Sequence, residues 1–399
     1  MHFADFLRDL VVILVGAKLC GELAVRLRQP AVLGELVGGV VLGVGVLRLI
    51  HPHEPVLHNL AELGALILLF EIGLECDLHA LLASGARALV LGVTGIVLPF
   101  VAGYGLMVAW GEPTLTAVFI GASLTATSIG ITARILADLG ALSSPEARIV
   151  IGAAVIDDIL GIVILSVVER LGATGTVELA QLARIVGLAV GFVVVAVVVG
   201  QLAAERLVSV LQRMRSRGIL IVGSLVFAFA LALGAHAIGS ATIIGAFTAG
   251  LVLARTDPKV DIEHALKPIA DLFVPIFFVV VGAQVDVRIL NPLVPANRPV
   301  IVLALVLTLV AIATKWAAGF AVTGRNLRRV AMGAAMVPRG EVGLIFAQVG
   351  LASRAVTPEL YAGVVVVVMA TTFFAPPVLG VLFGRRRAAA GGELSPPPP

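Results

Sequence analysis

Val32-Leu-Gly-Glu-Leu-Val-Gly-Gly-Val-Val-Leu-Gly43 and Ile243-Ile-Gly-Ala-Phe-Thr-Ala-Gly-Leu-Val-Leu-Ala254 read as two versions of one segment. A second pair follows them in the same order. Leu60-Ala-Glu-Leu matches Ile269-Ala-Asp-Leu, and the two runs continue to Gly73 and Gly282. Self-similarity at a fixed distance is the mark of an internal repeat and decides the fold before any single residue does.

Each of these segments lies in an apolar run of about 20 residues, enough to cross a ~30 Å hydrocarbon core, and such runs recur almost end to end. Hydrophobic residues make up 59% of the chain, charged residues 13%, and the mean hydropathy is +1.09. This composition excludes an ordinary soluble domain. The first run follows a start without Lys/Arg clustering and is not trailed by a small-residue cleavage site, so it reads as a retained span. Cys20 and Cys76 sit in or beside apolar runs without CxxC spacing and suggest neither a disulfide nor a metal site.

Breaking the apolar windows at polar and Pro/Gly clusters predicts about thirteen transmembrane helices, roughly 7–28, 30–50, 58–76, 86–110, 114–137, 146–168, 180–204, 217–236, 238–254, 266–284, 299–322, 329–352 and 360–383. The repeat then matches the second span to the ninth and the third to the tenth. Units of six spans separated by one helix are therefore inverted relative to each other, a recurring build of secondary transporters whose site lies where the repeats meet. The expected fold is an all-α polytopic membrane protein with two inverted six-helix repeats.

Loops carrying Arg26/Arg28, Arg87, Arg134/Arg148, Arg206/Arg213/Arg215/Arg217, Arg255/Lys259/Lys267, Arg325/Arg328/Arg329 and Arg385/Arg386/Arg387 all fall on one side of this count. The positive-inside rule then puts the N-terminus outside and the C-terminus in the cytoplasm. The pI near 9.2 reflects topology, not nucleic-acid binding.

A charge at mid-bilayer costs at least ~2.5–3.5 kcal/mol, so every intramembrane charge needs a partner, a water path or a function. Ile151-Gly-Ala-Ala-Val-Ile-Asp-Asp-Ile-Leu-Gly161 places Asp157 and Asp158 near the centre of the sixth span. Consecutive residues on a helix point ~100° apart, so the two carboxylates address different neighbours. Hard cations prefer oxygen ligands, and two neighbouring buried carboxylates can bind a cation such as Na⁺ and protons in alternation. Structural salt-bridging is the plainer reading of the pair. Lys315, in the eleventh span, needs an anionic partner, for which an aspartate of the sixth span is the natural candidate; otherwise it snorkels to the interface.

Gly121-Ala-Ser-Leu-Thr-Ala-Thr-Ser-Ile-Gly130 and Met336-Val-Pro-Arg-Gly-Glu-Val-Gly343 interrupt the fifth and twelfth spans, which hold equivalent places in the two units. Broken helices crossing at the midplane would free backbone carbonyls, and Thr125, Thr127 and Ser128 could complete an ion site. Ordinary close packing of small residues is the alternative. Arg339 and Glu341 are expected to balance helix dipoles and each other. Glu71 and Glu75, one turn apart, could line an access funnel from the cytoplasm. Lys18 and Glu22 read as an i, i+4 pair, and Glu35 and Glu62 as internal pairs or cavity edges. His51, His53 and His58 share a short loop and make a weak metal motif.

Ala17-Lys-Leu-Cys-Gly-Glu22, Gln29-Pro-Ala-Val-Leu-Gly-Glu35, Phe70-Glu-Ile-Gly-Leu-Glu75, Thr125-Ala-Thr-Ser-Ile-Gly-Ile-Thr-Ala-Arg134, Val155-Ile-Asp-Asp158, Lys315 and Pro338-Arg-Gly-Glu341 together resemble the monovalent cation:proton antiporter-2 family, specifically its NapA-type Na⁺/H⁺ antiporters. The resemblance covers nearly the whole chain. It implies Na⁺ and H⁺ as substrates without a cofactor, a homodimer in the cell membrane, and an elevator in which a core carries the ion past a fixed dimer. Residues 1–84 and 213–290 would form the dimerisation half, 85–170 and 291–384 the core, 171–212 the linker and 385–399 a disordered tail. It places the cation ligand at Asp158 and the partner of Lys315 at Asp157. Related electroneutral members lack both the first aspartate and the lysine, so the resemblance is to the electrogenic class. No nucleotide-binding regulatory domain is expected after the last span.

K⁺/H⁺ exchange fits the same residues. An intramembrane aspartyl protease needs its two aspartates on separate helices, which this chain does not offer. A passive channel would be blocked by such tight charges.

Overall fold

The computed structural model describes residues 3–389 apart from 28, 53, 77–82, 175–186, 239–241, 285–296, 325 and scattered positions between 189 and 217. Its regular elements are all helices: α1 (Phe3–Arg26), α2 (Ala31–Leu42), α3 (Pro55–Glu75), α4 (Gly85–Trp110), α5 (Thr114–Ser123), α6 (Ile129–Asp138), α7 (Pro145–Thr174), α8 (Ile219–Ala237), α9 (Thr242–Leu253), α10 (Lys259–Ala283), α11 (Asn297–Ala321), α12 (Arg329–Ala335), α13 (Glu341–Ala352) and α14 (Pro358–Ala389). Among them α3, α4, α8, α10, α11 and α14 are each long and apolar enough to cross a membrane. The expected span 180–204 and its linker fall mostly outside the described residues.

Several predicted ends move for local reasons. Pro55 starts α3 at the first helical position, where its missing N–H costs nothing. The second span stops at Leu42 instead of 50, because Gly43 leaves the helix and a side chain there would collide with the backbone of Ala283. The tenth span begins seven residues early, at Lys259, with a charged first turn. The final helix runs through Arg385 to Ala389, so the first part of the expected disordered tail is helical; Arg and Ala favour helix, and Gly391 and Gly392 follow. Glu22 pairs with Arg26 at 2.8 Å, not with Lys18. The acid stands N-terminal to its partner there, the better orientation on a helix.

Two groups of helices emerge from the packing. Helix α3 lies against α9 and α10, α2 against α1 and α10, and α8 against α9. Separately, α4 packs on α5, α7 and α11, α11 on α12 and α14, and α5 on α13. The main contacts between the groups run from α6 to α2 and α3 and from α14 to α2.

The first group is held by backbone meeting backbone. A side chain on Gly39 of α2 would strike the carbonyl of Val279 and the Cα of Gly282 on α10; one on Gly282 would strike the carbonyl of Leu36. Between α3 and α9, Gly73 faces the carbonyl of Phe247 and Gly250 that of Phe70. The sequence repeat sends Gly39 to Gly250, Gly73 to Gly282, Leu36 to Phe247 and Phe70 to Val279. It therefore maps each of these contacts onto another. Gly34 against Cys20, mapped the same way, becomes Gly245 against Leu231.

The interrupted helices belong to the second group. Between α5 and α6, Thr125 turns its hydroxyl back to the Ala122 carbonyl at 2.8 Å, and Ser128, extended at φ −82° and ψ 104°, caps α6 by accepting from Ile131 N–H at 3.4 Å. Between α12 and α13, Pro338 offers no N–H and Gly340 is extended at φ −127° and ψ −153°.

Candidate ion-binding site

The two interruptions touch and are bonded to each other. Ser128 N–H donates to the Pro338 carbonyl at 2.8 Å, and Arg339 Nη1 to the Ala126 carbonyl at 3.0 Å. Thr132 Oγ1 donates to the Ala335 carbonyl at 2.8 Å. Each contact gives a carbonyl without a helical partner the donor that water would supply outside a membrane.

Asp157 and Asp158 lie on α7 beside this crossing, 2% and 7% exposed. Asp157 looks toward Lys315 of α11, whose Nζ is 3.5 Å from its Oδ2. That ammonium is fully buried and makes a shorter bond, 2.7 Å, to Thr127 Oγ1. Asp158 instead lines a narrow cavity with Thr127, Ser128, Ile129, Gly130, Gly340 and Val342. The far wall, Ala65 and Leu69 of α3, Ile243 of α9 and Phe277 of α10, belongs to the other helix group. The consecutive aspartates thus divide their surroundings, one toward a cation of the protein and one toward the cavity.

Arg339 is fully buried, and its guanidinium also reaches the Ala311 carbonyl at 3.5 Å. A cation on the Ala126 carbonyl, freed at the first break, offsets the negative end of α5. The side chain of Glu341 lies outside the described residues, so its expected pairing with Arg339 does as well. Thr125 does not reach the cavity, since its hydroxyl serves its own helix. Glu71 and Glu75 stand apart from it at the end of α3.

A second charged group joins the two helix groups near that end. Arg134 and Asp138 of α6 pair at 3.1 Å, and Asp138 accepts the backbone N–H groups of Ala31 and Val32 at the start of α2. Arg134 also interacts with buried Glu35 of α2 and with Glu71. Pro30, the N-cap of α2, has no capping side chain, so Asp138 does that work from another helix. Of the histidine loop, His58 pairs with Glu62 at 3.3 Å and His53 is outside the described residues.

Sequence reasoning passed over Thr132 and Thr372. Thr372 of α14 is 1% exposed and donates to the Arg339 carbonyl at 2.7 Å. Both are hydroxyls in apolar runs, the same signal that singled out residues 123–128.

The arrangement brings a cavity-lining carboxylate, hydroxyls, fixed carbonyls and an ammonium–carboxylate pair to one buried place. It can hold a dehydrated small cation on oxygen and move protons on Asp157, Asp158 and Lys315.

Residues 11–384 match the transmembrane sodium/hydrogen exchanger family. The chain is 44% identical to the high-affinity Na(+)/H(+) antiporter NhaS3 of Synechocystis sp., over 91% of this chain and 86% of that one. It is 35% identical to the Na(+)/H(+)-K(+) antiporter GerN of Bacillus cereus, over 90% and 92%. Among solved structures, the sodium proton antiporter MjNhaP1 of Methanocaldococcus jannaschii superposes with a TM-score of 0.72 at 18% identity, over 99% of this chain and 100% of that one.

Proposed function

The chain belongs to the transmembrane sodium/hydrogen exchanger family, and from that premise we propose that it is a NapA-type secondary antiporter of the cell membrane, exchanging Na⁺ or Li⁺ for protons at Asp158. The observation that carries this reading is the division of labour on α7. Asp158 lines the cavity between the helix groups, while Asp157 faces Lys315. A cation arriving at Asp158 adds positive charge beside Asp157, and Lys315 then releases its proton most readily, because an ammonium loses stabilisation when its carboxylate is shared. Exchange of one Na⁺ for two protons moves one net charge per cycle, worth ~2.3 kcal/mol per 100 mV.

An elevator-like motion is supported by the position of the cavity, with one wall on each helix group, and by the limited packing between the groups. The glycine contacts that map onto one another support an inverted repeat. Leu7, Val11, Val15, Leu19 and Leu23 form an exposed stripe on α1, as lipid or a second copy of the chain would require. The basic loops support an N-terminus outside and a C-terminus in the cytoplasm.

K⁺ is the second cation to consider, because GerN, at 35% identity, is described as a Na(+)/H(+)-K(+) antiporter. The test is proton flux in proteoliposomes with Na⁺, Li⁺ or K⁺ added in turn. The reading expects Na⁺ and Li⁺ to dissipate an acid-inside gradient, with Asp158→Asn inert. Dissipation by K⁺ alone would replace Na⁺ as the substrate, and full exchange by Asp158→Asn would remove Asp158 from the site.

A further inference from the structure

Threonines inside helices usually spend their hydroxyl on a carbonyl one turn back. Thr371 does so, donating to Val367 at 2.8 Å and Val368 at 2.9 Å. Its neighbour Thr372 instead reaches out of α14 to the Arg339 carbonyl, in the extended strip between α12 and α13.

That strip is held on two sides. The Pro338 carbonyl is taken by Ser128 N–H from the first break and the Arg339 carbonyl by Thr372. Between these anchors the Arg339 side chain sits on the Ala126 carbonyl, and Gly340 lies so near Ser128 that a Cβ would be 2.9 Å from its Oγ. Gly340 and Ser128 are both walls of the cavity that Asp158 lines. Carbonyl oxygens are also the commonest ligands of hard cations besides carboxylates, and an Arg339 carbonyl occupied by a donor is withdrawn from that role.

We propose that Thr372 is a positioning residue for cation binding: its bond fixes residues 338–340, sets the part of the cavity wall that Gly340 forms and keeps the Arg339 carbonyl out of the ion's coordination. The inference rests on the reading that the cation binds at Asp158. A site whose wall is fixed in advance spends less on ordering when the ion arrives, so loosening that wall weakens ion binding more than it slows movement of the loaded protein.

The experiment measures Na⁺-driven proton movement in proteoliposomes across a range of Na⁺ concentrations, for wild type, Thr372→Val, Thr372→Ser and the control Thr371→Val. Thr372→Val should raise the apparent KM for Na⁺ roughly fivefold to tenfold, the worth of one well-placed hydrogen bond, with the maximal rate within about twofold. The ratio of Na⁺ to Li⁺ KM values should shift as well, because the set of available oxygens changes. Thr372→Ser should restore both, and Thr371→Val should match wild type. If Thr372→Val does not assemble, Thr372→Cys, of similar volume and weaker donating power, takes its place. A wild-type KM in the hydroxyl-free variant, an equal effect from Thr371→Val, or no rescue by Ser would each overturn the proposal. A wild type without Na⁺-driven exchange would overturn the underlying reading and this inference together, whereas an active wild type with an indifferent Thr372→Val overturns this one alone.

Discussion

The packing of α2, α3, α9 and α10 and the crossing inside the second group are held by opposite means. In α2, α3, α9 and α10, glycines bring backbones into direct contact, with no side chain between them. At the crossing of α5–α6 and α12–α13, backbones are held by side chains: Thr132 and Arg339 reach from one side of the crossing to the other, and Thr372 reaches in from α14. A glycine contact tolerates no added atom and transmits force rigidly. A hydrogen bond to a loose carbonyl sets position and charge together, and can be retuned one donor at a time. The first means suits a frame and the second a site, so substitutions should divide accordingly into those that cost folded protein and those that cost transport.

The sharpest division is expected at Asp158. Asp158→Asn keeps size and hydrogen bonding but removes the anionic ligand, so exchange should fall to background while the thermal midpoint in detergent stays within a few degrees. A large loss of stability would show that the crossing, too, is mainly a frame. Next come Gly73→Val and Gly250→Val, which sit on opposite sides of one contact. Overpacking ordinarily costs ~1–3 kcal/mol, and here the obstruction is backbone that cannot yield. Both variants should lose most folded protein, and whatever survives should keep the wild-type KM for Na⁺. A changed KM with normal yield would break the comparison.

A subtler effect is expected at Lys315. Lys315→Gln should stop exchange or make it insensitive to voltage, checked by clamping the potential with K⁺ and valinomycin while following Na⁺ flux. Indifference of the wild type to voltage would leave one-for-one exchange as the mechanism. The smallest effect belongs to Asp138, which ties α6 to α2 across the two groups. Asp138→Ala removes a cap worth ~1 kcal/mol. If that bond must open in every cycle, initial rates should rise by up to about fivefold. A slower variant would mean that the contact is part of the moving body instead of a restraint on it.

Legibility in the sequence followed the range of the interaction. The break at Pro338 is written in one residue. The frame's glycines were visible as matched positions, though not as mutual contacts, since partners on α2 and α10 are far apart in the chain. For Thr125, residue type does not disclose direction: its hydroxyl closes a local turn. Thr127 was read as a cation ligand, and its nearest partner is the Lys315 ammonium. Thr132 and Thr372 escaped notice because the carbonyls they serve exist only once a distant helix has been interrupted.

The glycine contacts also bear on how the protein is made. Gly39 and Gly73 meet Gly282 and Gly250, which leave the ribosome about 200 residues later, a delay of roughly 10–40 s at ~5–20 residues per second. Until then α2 and α3 lie in the bilayer with their closest-packing faces against lipid. Insertion of these helices must precede their packing. A nascent chain halted before α9 would therefore hold α2 on α1 but leave α3 without α9 and α10, and the membrane's quality-control proteases would meet those bare glycine faces first.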